Sequence, residues 1–120
     1  LCDAEIFAAL LTKKDGVHTY RLPSEQEWAA AAGDIEGAVY GWCNVNSTQP
    51  VKKLKAKNGL YDMVGNVWEL TSSRWSSPYP DLVVRCGDWS GKDSCRASYR
   101  GSRRPVDRDG RVGFRLLRQP

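Results

Sequence analysis

The sequence predicts an α+β domain, and three observations carry that reading. Two helix signatures occupy the first third of the chain, strand-like runs follow from residue 60 onward, and turn-rich segments separate those runs. At 120 residues, 1–120 is read as a single domain with a modest core.

The first helix is expected over 3–13, "DAEIFAALLTK", where Ile6, Phe7, Leu10 and Leu11 recur at helical spacing. Asp3 is its candidate N-cap and Gly16 stands just past its end. "TYRLP" then reads as extended, because Pro23 biases Leu22 toward β or polyproline geometry. In "SEQEWAAAAG", Ser24 and Glu27 make a capping box, alanines carry the helix body and Gly33 ends it. Residues 34–59 are irregular, and lysines 52, 53, 55 and 57 read as a solvated loop face. Strands are expected in "VWELTS", "DLVVRCGDW", "SCRASYR" and "VGFRLLR", parted by "SRWSSPYP", "SGKD" and "GSRRPVDRDG". No internal repeat or low-complexity segment interrupts this order.

Composition excludes some classes. Hydrophobic content of 41% with 27% charge is ordinary for a globular protein. No apolar run approaches the roughly 20 residues a membrane helix needs, so no membrane insertion is expected. The net charge of +4 is unevenly spread: residues 1–84 hold 8 basic against 10 acidic side chains, and residues 85–120 hold 10 against 4. Nine of those ten are arginines, which suit fixed bidentate or stacked pairing. Two readings follow, a nucleic-acid surface or structural arginines paired with Asp88, Asp93, Asp107, Asp109 and backbone carbonyls. Strand-like alternation favours the second.

Cys2, Cys43, Cys86 and Cys95 contain no C-x-x-C, and His18 is the sole histidine, so zinc and histidine-based metal centres are not expected. Cys86 and Cys95 could pair across a hairpin or remain buried thiols, and spacing does not decide between these.

"LYDMVGNVWEL" sets Asp62 and Glu69 seven apart, a spacing that puts them together on neither a helix nor a single strand face. The chain must bend between them, and Gly65 and Asn66 tolerate the positive φ such a bend needs. A bent, oxygen-rich turn suits a hard cation. The alternative is that Asp62 caps a turn while Glu69 pairs with an arginine.

"YRLPSEQEW", "NGLYDMVGNVWEL", "RCGDW" and "CRASYRGSRRPVDRDGRVGFRLL" occur in that order, and the chain thereby resembles the formylglycine-generating-enzyme/sulfatase-modifying-factor family over residues 4–118. The resemblance implies a C-type-lectin-like fold, with two N-terminal helices, a small twisted antiparallel sheet and long loops. It also implies calcium held by the Asp62 and Glu69 side chains and the Gly65 and Val67 carbonyls. Catalytic members of the family carry two copper-binding cysteines shortly after the glycine-rich block. Here Asp88, Trp89, Ser90, Gly91 and Lys92 fall where the first should be, so no copper is expected and no catalytic residue is assigned.

Compact members of the family resemble the variable proteins of diversity-generating retroelements, whose C-terminal strands and loops display diversified side chains. That likeness implies a non-enzymatic ligand-binding module with residues 86–112 as its variable region, gripping a protein or other macromolecule. Scaffold positions would be Gly87, Trp89, Arg96, Arg100, Pro105, Arg108, Gly113, Phe114 and Arg115, with Trp28, Trp68, Trp89 and Phe114 in the core. Candidate contacts in the first half of the region are Asp88, Ser90, Lys92, Asp93, Ser98 and Tyr99. In the second half they are Ser102, Arg103, Arg104, Asp107, Asp109 and Arg111. The alternatives are an oxidoreductase converting a sulfatase cysteine to formylglycine, or an accessory sensor domain of a longer protein.

Overall fold

The computed structural model describes residues 2–37, 39–76, 78–91, 95–106 and 108–120. Two helices, α1 (Asp3–Asp15) and α2 (Glu25–Ala32), flank a short strand β1 (Thr19–Arg21). The strands β2 (Trp68–Arg74), β3 (Leu82–Arg85), β4 (Arg100–Arg103), β5 (Val112–Gly113) and β6 (Leu117–Gln119) follow. One sheet has the order β4-β3-β2-β5, and β1 and β6 form a second, two-stranded sheet. β5 runs parallel to β2 while the other pairs are antiparallel, so the larger sheet is mixed rather than purely antiparallel as expected.

α2 forms where the capping box requires. The Ser24 hydroxyl accepts from the Glu27 amide at 3.1 Å, and the Glu27 carboxylate accepts from the Ser24 amide at 2.8 Å. Arg21 then clamps Glu27 through both Nη atoms, at 2.8 and 2.7 Å, which ties β1 to the start of α2. α1 ends on Gly16 in the left-handed region as predicted, but its N-cap is Cys2, not Asp3. Asp3 instead ion-pairs with Arg108 at 2.9 Å.

The apolar stripe of α1 also departs from expectation. Ala4 and Ala8 are buried, while Ile6, Phe7 and Leu10 are 45, 52 and 63% exposed. Small side chains let the helix approach closely, and Cys2, Ala4 and Leu22 form a minor core with Leu70 and Leu116 against it. The main core gathers Trp28, Ala32, Ile35, Met63, Val64, Cys86 and Ala97. Trp28 and Trp68 are buried as anticipated, but Phe114 is 40% exposed, packing edge-on against Phe7 at 5.8 Å, and Trp89 is only half-buried.

Two strand expectations shift. Of the described residues 95–100, only Arg100 joins a strand, where the chain meets β3 with Arg85 opposite Arg100, while Arg96 makes an isolated antiparallel bridge with Glu36. "VGFRLLR" divides into β5 and β6, since residues 114–116 carry the chain from β2 in one sheet to β1 in the other.

Hydrogen bonds from Arg21 hold the Glu27 carboxyl down to about 2, from an ordinary 4.5. A depressed acid stabilises the fold above its unfolded pKa and loses that contribution as pH falls through the folded one. The urea midpoint is therefore expected to fall between pH 4.5 and about 2, and Glu27→Gln to flatten that part of the profile.

Candidate functional site

The turn at residues 62–66 bends as its sequence requires, with φ of 56° at Asp62, 70° at Gly65 and 65° at Asn66. Glycine is obligatory at 65 for a second reason: a Cβ there would strike the Trp42 carbonyl and the Cys43 sulfur. The bend does not leave its two acids equivalent. Glu69 is buried and accepts from Trp28 Nε1 at 2.9 Å and from Arg115 Nε and Nη2 at 2.6 and 2.8 Å. This is the arginine pairing that the sequence left open. Burial alone would lower the Arg115 pKa, but hydrogen bonds and charge from Glu69 more than offset that and raise it.

Asp62 differs. Its Oδ2 accepts from the Lys52 amide at 3.2 Å, and its Oδ1 is buried without a partner among the described residues. Asp62, Val67 and Glu69 line one hollow with Arg115. Gly65 is not part of that lining, and its carbonyl accepts the Cys86 thiol at 3.0 Å. The orphan Oδ1 fits a cation; the arginine-bound Glu69 fits one less well.

Cys43 and Cys95 are disulfide-bonded, 52 residues apart, whereas Cys2 and Cys86 are free and buried. Cys86 and Cys95 therefore do not pair. Cys86 has no solvent exposure and burial pushes its thiol well up, so it stays protonated. A copper site made of two nearby thiolates does not fit this donor set. The Cys43–Cys95 bond, with the Asn44 amide on the Gly91 carbonyl at 3.1 Å and the Val45 amide on that of Trp89 at 2.8 Å, fastens the 34–50 loop to the glycine-rich turn.

Several of the candidate contact residues form a continuous strip over buried Trp68. Tyr99 packs on the Trp68 ring at 5.2 Å, and the Arg103 guanidinium lies 5.7 Å from that ring. Arg103 reaches Asp109 at 3.9 Å, and Asp109 Oδ1 accepts from the Arg111 amide at 2.8 Å. Arg111 then stacks on Trp89 at 5.0 Å. Ser90, Ser98, Arg104 and Arg111 are exposed and Ser102 is half-buried. Asp88 belongs to a different role: it is buried and accepts from the Ser90 amide and hydroxyl at 2.8 and 2.6 Å, fixing the turn rather than facing a ligand or an arginine. Lys92, Asp93 and Asp107 lie outside the described residues.

Glu25 was not anticipated from the sequence. It binds Arg85 at 2.9 Å and also Arg100, whose guanidinium stacks on Trp75 at 4.9 Å. Its signal was its place as the first acid of α2, where the helix-end charge alone is enough to account for it.

This fold, two helices on a small curled sheet with a long-loop surface and an oxygen-rich turn, is of the C-type-lectin-like class. The sulfatase-modifying factor enzyme 1-like domain model matches residues 1–120, and the chain belongs to that family. It is 31% identical over 128 residues to inactive C-alpha-formylglycine-generating enzyme 2 of Bos taurus, covering 79% of this chain and 42% of that protein. The formylglycine-generating enzyme of Streptomyces coelicolor is 31% identical over 142 residues, covering 79% and 45%. The chain thus spans less than half the length of these curated relatives. PvdO from Pseudomonas aeruginosa superposes with a TM-score of 0.86 at 26% identity, covering 98% of this chain and 59% of its own. Treponema denticola variable protein 1 does so with 0.73 at 29%, covering 84% and 48%.

Removing one partner of a buried ion pair strands the other, so Glu69→Gln is expected to cost about 3 kcal/mol in urea unfolding. Cys43→Ser removes a cross-link over a long loop and is expected to cost about 2–4 kcal/mol by the same measurement.

Proposed function

We propose that this chain is a non-enzymatic binding module of the retroelement-diversified type, displaying residues 86–112 to a macromolecular ligand, most naturally a protein. The observation that carries this reading is the strip Tyr99–Arg103–Asp109–Arg111, laid over buried Trp68 and ending on Trp89. Tyrosine and arginine supply much of the contact energy at protein interfaces. The rings beneath fix them at small entropic cost. Exposed substitutions usually change stability by less than about 0.5 kcal/mol, so the strip can vary while its support stays constant. Likeness to inactive formylglycine-generating enzyme 2 and to the Treponema variable protein supports it further. So does the use of Cys95 in a disulfide, which removes it as a thiolate partner for Cys86.

Two measurements test it together. Incubated with copper, oxygen and a sulfatase-derived cysteine peptide, the protein is expected to leave the peptide thiol intact by mass spectrometry; its conversion to an aldehyde would establish the oxidoreductase instead. Sequences from one locus are expected to differ mainly within 86–112, beside a reverse-transcriptase gene and a near-identical template repeat. Differences spread evenly along the chain would overturn the display role.

We also propose that Asp62 holds a structural calcium ion, on the strength of its buried unpartnered Oδ1. Calcium would supply the positive charge that oxygen lacks. A ligand bound only by the folded state raises the melting temperature. Millimolar calcium is expected to do so, EDTA to reverse it, and Asp62→Asn to weaken it. Identical melting curves in calcium and EDTA would dispose of the ion.

A further inference from the structure

The opposite face of the sheet from Trp68 carries a cleft of about 700 Å³, between the end of α2 and the segment around Ala97. That volume lies within the range of small-molecule sites. Arg85, Lys57, Tyr40, Ser98, Asp34 and Glu36 contribute to its lining.

Arg85 is the unusual member. It is only 8% exposed, and three partners fix its guanidinium. Nη1 donates to Glu25 at 2.9 Å, Nη2 donates to the Ala97 carbonyl at 2.8 Å, and the plane lies 5.1 Å from the Trp28 ring. The Nε–H is buried and has no acceptor among the described residues. A buried donor left unmet is costly, and native structures keep such groups chiefly where something else satisfies them. Charge points the same way. Among the described residues Glu25 is the carboxylate that Arg85 and Arg100 share, so the three together carry a net positive charge. Lys57 adds another: its Nζ lies 3.4 Å from the Asp34 carbonyl and 5.6 Å from the Tyr40 ring.

The mouth has the opposite sign, since Asp34 and Glu36 are both exposed. A simple anion would meet repulsion there, whereas a ligand with a carboxylate at one end and an ammonium beside it meets complementary charge at both. We propose that this cleft binds a free amino acid, its carboxylate turned to Arg85 and Lys57 and its ammonium to Asp34 and Glu36. This site does not rest on the display role, because it lies on the α2 side of the sheet and shares none of the Tyr99, Arg103, Asp109 and Arg111 side chains.

The test uses the full chain and the twenty free L-amino acids, followed by the side-chain Nε–H resonance of Arg85 in NMR titrations and by calorimetry. At least one amino acid is expected to shift that resonance saturably below 10 mM, a limit of about 3 kcal/mol of binding energy. Its methyl ester, which removes the anionic charge, is expected to bind at least about tenfold more weakly. An N-acetyl derivative, which removes the ammonium, should also lose affinity. Lys57→Ala changes a surface side chain and is expected to weaken binding about fivefold. Arg85→Lys would release Glu25 and the Ala97 carbonyl and so disturb the fold, which is why Lys57→Ala and the ligand derivatives are the deciding variants. An unmoved Arg85 resonance with all twenty, or equal binding of the ester or the N-acetyl form, overturns the proposal. A peptide with a free C-terminal carboxylate that binds better than any amino acid would also overturn it, showing the cleft to read a chain end instead.

Discussion

A single buried carboxylate organises this fold. Glu69, on β2, receives Trp28 from α2 and Arg115 from the C-terminal segment, and Arg115 goes on to donate to the carbonyls of Tyr61 and Asp62 at 2.9 and 3.1 Å. Three stretches distant in sequence, α2, residues 61–69 and the C-terminal segment, thus meet at one ion pair. Such a pair contributes little net energy compared with apolar packing of the same volume. What it supplies is geometry, because a charge without its partner cannot stay buried, so these stretches dock in one arrangement or not at all.

The two faces of the sheet are built differently. Residue alternation along β2 turns Glu69 toward α2 and Trp68 away from it. The α2 side is stiffened by ion pairs and aromatic stacking, while the other side offers a tryptophan platform on which exposed side chains rest. Gly101 belongs to this platform: a Cβ there would press within 3.3 Å of the Trp68 ring. The mixed sheet follows from the same economy of space, since β5 enters beside β2 in parallel and brings the Arg111 carbonyl onto the Trp68 amide at 2.7 Å.

Local signals in the sequence translated directly where backbone chemistry is local. The capping box at Ser24 and Glu27, the left-handed stop at Gly16 and the bend at Gly65 and Asn66 each involve neighbours a few residues apart. Contacts between remote segments were not legible. Nothing in the spacing of four cysteines selects Cys43 with Cys95, and no pattern marks Glu25 as the shared partner of Arg85 and Arg100. Helical periodicity located α1 but not its inward face, because two alanines were preferred over larger neighbours for close approach. Of the proposed contacts, Tyr99, Arg103, Asp109 and Arg111 meet around or beside Trp68, while Asp88 turned inward to serve Ser90, a choice that depends on loop geometry alone.

The seclusion of Cys86 has a consequence for oxidative maturation. Exchange between sulfurs proceeds through attack by a thiolate, and a protonated sulfur sealed in the core cannot launch that attack. Once the chain has collapsed, Cys86 is therefore unable to open the bridge between the two loops. Pairing errors that involve Cys86 are confined to the interval before collapse, when all four sulfurs still compete.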